Sequence, residues 1–153
     1  MSTAHLFTND EYHRLFSEGD RVELVEGVVY DKMVIGPRHN FAVSELQRIF
    51  IEAGCKLNSQ GPIAWPGNEP EPDLVLVTEK HPDRHPLPSE VLLLVEVSDS
   101  TLEYDRNVKL PAYEAAGIRS WIVNLRDNCF EVDGERLTEV SFEGVTIRIE
   151  EIT

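Results

Sequence analysis

Residues 91–97, VLLLVEV, form the most apolar run of the chain, and a glutamate, Glu96, stands inside it. The one comparable run, DLVLV at 73–77, is opened by a second acid, Asp73. Short Val- and Leu-rich runs of this kind read as buried strands. Burying an ionised carboxylate is costly unless a counter-charge or a metal compensates it, so acids at the edges of two core strands point to a site rather than a solvated surface. Antiparallel pairing would bring the start of one strand beside the end of the other, and Asp73 and Glu96 together. Parallel pairing would part them by roughly 17 Å, five residues at about 3.3 Å each, too far to share one ion. The site reading therefore requires antiparallel neighbours.

A length of 153 residues predicts one domain over 1–153, and 41% hydrophobic with 27% charged residues is ordinary for a water-soluble protein. The longest apolar stretch is far short of a membrane span, and the N-terminal residues lack a basic and an apolar leader region, so no membrane partner and a cytoplasmic location are expected. Cys55 and Cys129 fit no close-spaced metal or redox pattern and are expected to be reduced thiols. A net charge of −14 opposes nucleic-acid binding at long range, because phosphates reward basic surfaces. It is compatible with a metal site, or with a substrate whose affinity depends on bound cations and a local basic strip.

Thr8 followed by Glu11 has the form of a capping box, predicting a first helix that Gly19 ends. Val-rich 21–30 reads as a strand or hairpin, in which Gly27 marks a bulge or a close backbone approach. A helix is predicted from His39 or Asn40 to Glu52, with an apolar stripe of Phe41, Ala42, Leu46, Ile49 and Phe50 and a C-terminal cap at Gly54. Short strands are expected over 56–60 and 63–65, a turn over 66–70, and a loop over 78–90. A second helix begins near Asp105, with Val108, Leu110, Tyr113 and Ala116 facing inward and Gly117 ending it; Pro111 leaves its start uncertain or kinks it. Strands follow at 120–125, 129–132, 137–142 and 145–149. The sum is an α/β fold, a single mixed sheet flanked by helices, with no internal repeat. Trp65 and Trp121 each lie in an apolar run and read as core.

Side chains alternate along 91–97, so Glu96 shares a face with Leu94 and Leu92, and with Ser98 beyond, while Val91, Leu93 and Val95 take the other. Two carboxylates, a backbone carbonyl and a substrate phosphate satisfy a hard divalent ion, and a metal so held can activate water against a phosphodiester. A neighbouring lysine would hold the water or neutralise the phosphate.

Pro72-Asp73, then about twenty residues, then Glu96 at the end of an apolar strand resembles the core of the PD-(D/E)XK nuclease superfamily. Glu23 to Gly27 (ELVEG), His39 at the head of a helix, Glu96-Val97-Ser98, Ser100-Thr101, Asp105, Lys109, Tyr113, Gly117 and Trp121 to Val123 together resemble the Uma-type restriction endonuclease family over about 23–124. The parent pattern places a lysine two residues after the glutamate, where this chain has Ser98; in the Uma-type pattern the lysine has moved to the following helix, at the position of Lys109. The resemblance implies a restriction endonuclease-like core over about 20–125 with C-terminal strands over 129–150. It implies that Asp73 and Glu96 bind Mg2+ or Mn2+, that Lys109 supplies positive charge, and that Glu23 or Glu26 completes the site. His39 matches a recurrent histidine, expected to contact phosphate or water. DNA is then the expected substrate, and a homodimer the expected assembly for cutting both strands. The rival reading is a catalytically inactive nuclease-fold module for binding or regulation, for which the missing strand lysine and the negative charge speak. A small phosphorylated substrate is a third.

Alternation along 22–26 points Glu23 and Glu26 to opposite faces, so only one of them can easily reach the site.

Overall fold

The computed structural model describes residues 3–59 and 61–153. Its centre is a six-stranded mixed sheet of β3 (Leu57–Asn58), β4 (Leu74–Val77), β5 (Val91–Ser98), β6 (Ser120–Asn124), β7 (Cys129–Val132) and β8 (Glu135–Leu137), in that order. The two apolar runs are the neighbours β4 and β5, and they pair antiparallel, with Leu74 opposite Val95. β5 and β6 are parallel, and the remaining pairs are antiparallel. A parallel pair needs a crossover, which here is helical: α3 (Leu102–Tyr104), a π-turn (Asp105–Lys109) and α4 (Leu110–Ala115).

Each face of the sheet has its own core. On one, Leu93, Val95 and Val97 of β5 meet Trp121 and Val123 of β6 and the buried stripe of α2 (Pro37–Glu52), formed by Ala42, Leu46 and Phe50. A two-stranded hairpin, β9 (Glu139–Phe142) with β10 (Val145–Arg148), adds Val140, Phe142 and Ile147 to this core. On the other face Leu94, Val75 and Val77 pack against Ile63, Ile118 and Tyr113 of α4. Glu96 projects to this second face, beyond Leu94. The expected alternation fails at one end of β5: a register shift between Leu76 and Val77 sets Val77 opposite Val91, and Val91 packs with Leu94 instead of Leu93. Leu92 is left 41% exposed.

Thr8 caps α1 (Asn9–Leu15) with the full reciprocal box, though the helix ends at Leu15, before Gly19. Residues 22–31 form the hairpin β1 (Val22–Val25) and β2 (Val28–Asp31). At its turn Gly27 has φ +78°, and a Cβ there would lie 2.9 Å from Leu6 Cβ, which is the close approach the sequence marks. α2 starts earlier than expected, because Pro37 suits a first turn that needs no N–H there. Phe41 falls off its stripe and is 52% exposed; His39 takes the inward position one turn before Ala42 and Leu46. Only Leu57–Asn58 of the expected 56–60 strand pairs, and Gln60 lies outside the described residues. Residues 63–65 form no strand beyond a single bridge between Trp65 and Asn68. Both cysteines are free.

Candidate active site

Because Leu74 faces Val95, the next pair outward is Asp73 and Glu96. The Asp73 backbone N–H donates to Glu96 Oε1 at 3.1 Å, and the Val97 N–H donates to Asp73 Oδ2 at 2.7 Å. Each carboxylate is thus fixed by the backbone beside the other. Asp73 Oδ1 lies 2.9 Å from His39 Nε2 of α2, whereas His39 Nδ1 is buried with no hydrogen-bond partner. Asp73 keeps 23% of its side chain exposed, and Glu96 behind it is 3% exposed.

Glu23 arrives from β1. Two backbone hydrogen bonds between Leu24 and Glu69 bind the hairpin to the segment leading into β4, and the Glu71 N–H donates to Glu23 Oε1 at 2.9 Å. The other oxygen of Glu23 accepts from the Tyr104 hydroxyl at 2.9 Å. Glu26, by contrast, occupies the exposed hairpin turn at φ 50° and does not join the cluster. Only one of the two acids joins the site, and it is Glu23; Glu26 is kept out because it lies past the end of β1, in the turn, and not by the alternation of the strand.

Lys109 closes the group. Its Nζ lies 2.7 Å from Glu96 Oε2 and 2.9 Å from Glu23 Oε1, and donates to the Glu71 carbonyl at 3.2 Å. The Glu71 carbonyl takes a hydrogen bond and the two carboxylates flank the ammonium as ion pairs, enclosing it within the protein. Lys109 is therefore a counter-ion here, a narrower role than reaching the water or phosphate directly. The π-turn delivers it: the Leu110 N–H bonds to the carbonyl of Asp105, five residues back. Widening the helix at this point also relieves the clash Pro111 would make with a carbonyl four residues earlier. Asp105, at the start of the turn, accepts from Ser98 Oγ at 2.6 Å and Thr101 Oγ1 at 2.7 Å. Ser98, which stands where the parent pattern has its lysine, thus clamps the helix to β5.

Four carboxylates, Glu23, Asp73, Glu96 and Asp105, face one permanent cation, and the ionisation equilibria reflect that excess. Burial pushes the Glu96 carboxyl well up, against the opposing pull of Lys109. Burial likewise raises Asp105 to about 6, despite Lys109, Ser98 and Thr101. Burial alone would lower Lys109, but Glu96, Tyr113 and Glu23 outweigh it and hold the ammonium well above the usual lysine range. The same balance raises His39, where burial opposes and the bond to Asp73 prevails. Tyr113, whose hydroxyl donates to Glu96 Oε2 at 2.7 Å, is raised by burial and by the Glu96 charge.

The donor set is all hard oxygen and under-compensated in charge, which suits a divalent ion such as Mg2+ or Mn2+. As the side chains stand, no group of three or more His, Cys, Asp and Glu residues among those described is arranged to hold a metal. Lys109 occupies the gap between Glu23 and Glu96, and His39 takes one oxygen of Asp73.

A family model described as Uma2, "Putative restriction endonuclease", matches residues 9–152. The chain belongs to the Uma2 family. Among solved structures, a putative nuclease of DUF820 from Anabaena variabilis superposes with a TM-score of 0.73 at 12% identity, covering 95% of this Uma2 chain and 97% of that one. At that identity the likeness speaks for the fold. No curated protein is similar enough to match. Among the described residues of the Uma2 chain, no helix is long and apolar enough to cross a membrane.

Sequence reasoning missed three members of the site. Tyr104 is not singled out by the sequence, Tyr113 reads as an inward helix residue and as part of the family pattern with no role in the site, and the Glu71 carbonyl carries no side-chain signal. A tyrosine four residues after Lys109 on the inward face was the available hint, since a buried phenol needs a partner.

Proposed function

We propose that this protein is a divalent-metal-dependent phosphodiesterase that cleaves DNA, working at the solvent-facing side of the Asp73–Glu96 pair. The observation that carries the reading is the reciprocal bonding of those two acids, backed by Lys109, with Asp73 partly exposed to solvent. Asp73 and Glu96 would hold the ion, which supplies Lewis acidity toward a phosphate oxygen and a more acidic bound water. The chain's own groups do the rest. Lys109 sets a positive charge between Glu23 and Glu96, and Tyr113 and Tyr104 fix one oxygen of each: Tyr113 that of Glu96, Tyr104 that of Glu23. His39 orients Asp73 by holding its Oδ1. In the cleavage step water oxygen would bond to phosphorus as the bond to the leaving sugar oxygen breaks; the attacking water would lose its proton to solvent at the exposed side of Asp73, and the leaving sugar oxygen would take a proton from solvent to leave as the alcohol. Two copies would account for cutting both strands.

A second reading, a nuclease-fold binding module without catalysis, draws on the burial of Lys109 between Glu23, Glu96 and the Glu71 carbonyl. Plasmid nicking in Mg2+ or Mn2+ separates the two. The enzyme reading expects metal-dependent nicking that Asp73→Ala and Glu96→Ala abolish; nicking that persists unchanged in both variants, or none from the intact protein, overturns it.

A further inference from the structure

α1 is propped on the molecule by polar contacts. Asn9 Oδ1 accepts from the Gly67 N–H at 2.7 Å, the Tyr12 hydroxyl donates to the Val22 carbonyl at 3.1 Å, and no residue of the helix is buried. Beside it lies a cavity of about 630 Å³, the size of a small-molecule site. Tyr12 and Phe16, with ring centroids 5.6 Å apart, line it from the helix side. Glu69 and Glu71 line it from the segment leading into β4, and the exposed acids Glu18 and Asp20 from the turn before β1. Lys32 pairs with Glu71. Glu69 is only 4% exposed, yet among the described residues it has no lysine or arginine partner. Its Oε2 meets His13 Nε2 at 2.7 Å and Asn9 Nδ2 at 3.4 Å. Its Oε1 accepts no hydrogen bond among the described residues. The one unpaired side-chain atom sealed from solvent there is His39 Nδ1, so Glu69 Oε1 opens onto the cavity that Glu69 lines.

We propose that this cavity binds a small polyvalent organic amine, with one ammonium seated on Glu69 Oε1 and the methylenes of the ligand against Tyr12 and Phe16. Charge selects the sign of the ligand. Four carboxylates line the space and Lys32 compensates one of them, so an anion is repelled and a cation drawn in. Tyr12 registers the same field: burial, and then the charges of Glu69, Glu71, Glu23 and Asp20, push its phenol up to about 12. The walls select an organic ion over a hydrated metal, because ring faces attract an ammonium and cover its methylenes. Among the described residues no three His, Cys, Asp and Glu are arranged to hold a metal here. The unbonded oxygen of Glu69 gives the ammonium a charge-assisted hydrogen bond, and Glu18 and Asp20 stand ready for a second positive charge. The cavity is separate from the Asp73–Glu96 pair but shares a wall with the site. The Glu71 side chain lines the cavity, while the Glu71 N–H and carbonyl hold Glu23 and Lys109.

The test is isothermal titration calorimetry of the full-length protein with spermidine, in metal-free buffer at physiological ionic strength. Three variants accompany it. Glu69→Gln keeps the shape of the side chain and removes its charge, Phe16→Leu keeps apolar bulk and removes the ring face, and Glu150→Gln removes an exposed charge outside the cavity. Urea unfolding checks that each variant is folded. The expected result is one spermidine per chain, bound about tenfold more weakly by Glu69→Gln and about threefold more weakly by Phe16→Leu, with Glu150→Gln unchanged. No binding to the intact protein overturns the proposal. Several spermidines per chain, with equal weakening in Glu69→Gln and Glu150→Gln, also overturns it, because that is the counter-ion atmosphere of a protein carrying −14. Displacement of spermidine by an equal concentration of Mg2+ overturns it in favour of a mineral cation. Should Glu69→Gln fail to fold, equal affinity in Phe16→Leu and Glu150→Gln overturns it. None of these readouts depends on phosphodiester cleavage, so their failure leaves the nuclease reading standing.

Discussion

Asp73 and Glu96 are bonded crosswise: the backbone of Asp73 serves the carboxylate of Glu96, and the residue after Glu96 serves the carboxylate of Asp73. Neither acid can turn away without breaking a partly buried hydrogen bond. A divalent ion binding this pair should stabilise the folded protein by mass action, about 2.7 kcal/mol at a hundredfold excess over Kd. In a domain of this size that is a rise in Tm of roughly 5–10 °C. Differential scanning calorimetry with Mn2+ should show the rise in the intact protein, its reversal by chelator, and its absence in Asp73→Asn.

Lys109→Met keeps the volume of the side chain and removes the charge. With Glu23 and Glu96 left buried and unpaired, stability should fall by about 3–5 kcal/mol in urea unfolding. Adding Glu96→Gln should recover part of the loss, since the two sites share one interaction. Additive losses in the double variant would show that the ammonium does not compensate Glu96.

Asp105 gives the protein a pH dependence of known sign. Its folded pKa, about 6, lies above the ordinary 3.8, so the folded state holds this proton more tightly than the unfolded chain does. The associated stability is fully present below about pH 3.8 and is lost as pH rises through about 6. Asp105→Asn keeps an acceptor for Ser98 and Thr101 but does not ionise. In metal-free buffer its stability relative to the intact protein should climb between pH 4 and pH 7 by on the order of 2 kcal/mol. A difference that stays flat over that range would remove the account of Asp105 as a strained, ionised clamp.

Tyr113→Phe deletes the hydroxyl that donates to Glu96 Oε2. A hydrogen bond to a charged group contributes about 1.5–3 kcal/mol, so the loss should be of that order by urea unfolding. Metal affinity should change as well, because Glu96 loses its fixed orientation. A variant with wild-type stability and metal affinity would show that the phenol does not set Glu96.

The strands and the acids were legible in the sequence because β4 and β5 are continuous apolar runs, and a charge within such a run stands out. Which way the strands ran was not, since pairing direction depends on the whole sheet. Thr8 and Gly54 announced a helix start and a helix end through local chemistry, whereas the end of α1 at Leu15 and the early start of α2 at Pro37 depend on tertiary fit. Alternation along the strand predicts the separation of Glu23 from Glu26, but what separates them is the hairpin turn, which takes Glu26 off the strand. The π-turn was visible only as a difficulty, the proline at 111 in an otherwise helical pattern. It decides where Lys109 points, and Ser98 gains its meaning from the Asp105 it meets there.

The most direct test is the anomalous difference density of a crystal of the intact protein soaked in Mn2+. The arrangement described here predicts a peak with oxygens of both Asp73 and Glu96 at about 2.0–2.3 Å, the bond lengths of hard divalent ions with carboxylates, and Lys109 remaining beside Glu96. Density elsewhere, or none at Asp73 while Lys109 still bridges Glu23 and Glu96, would contradict it.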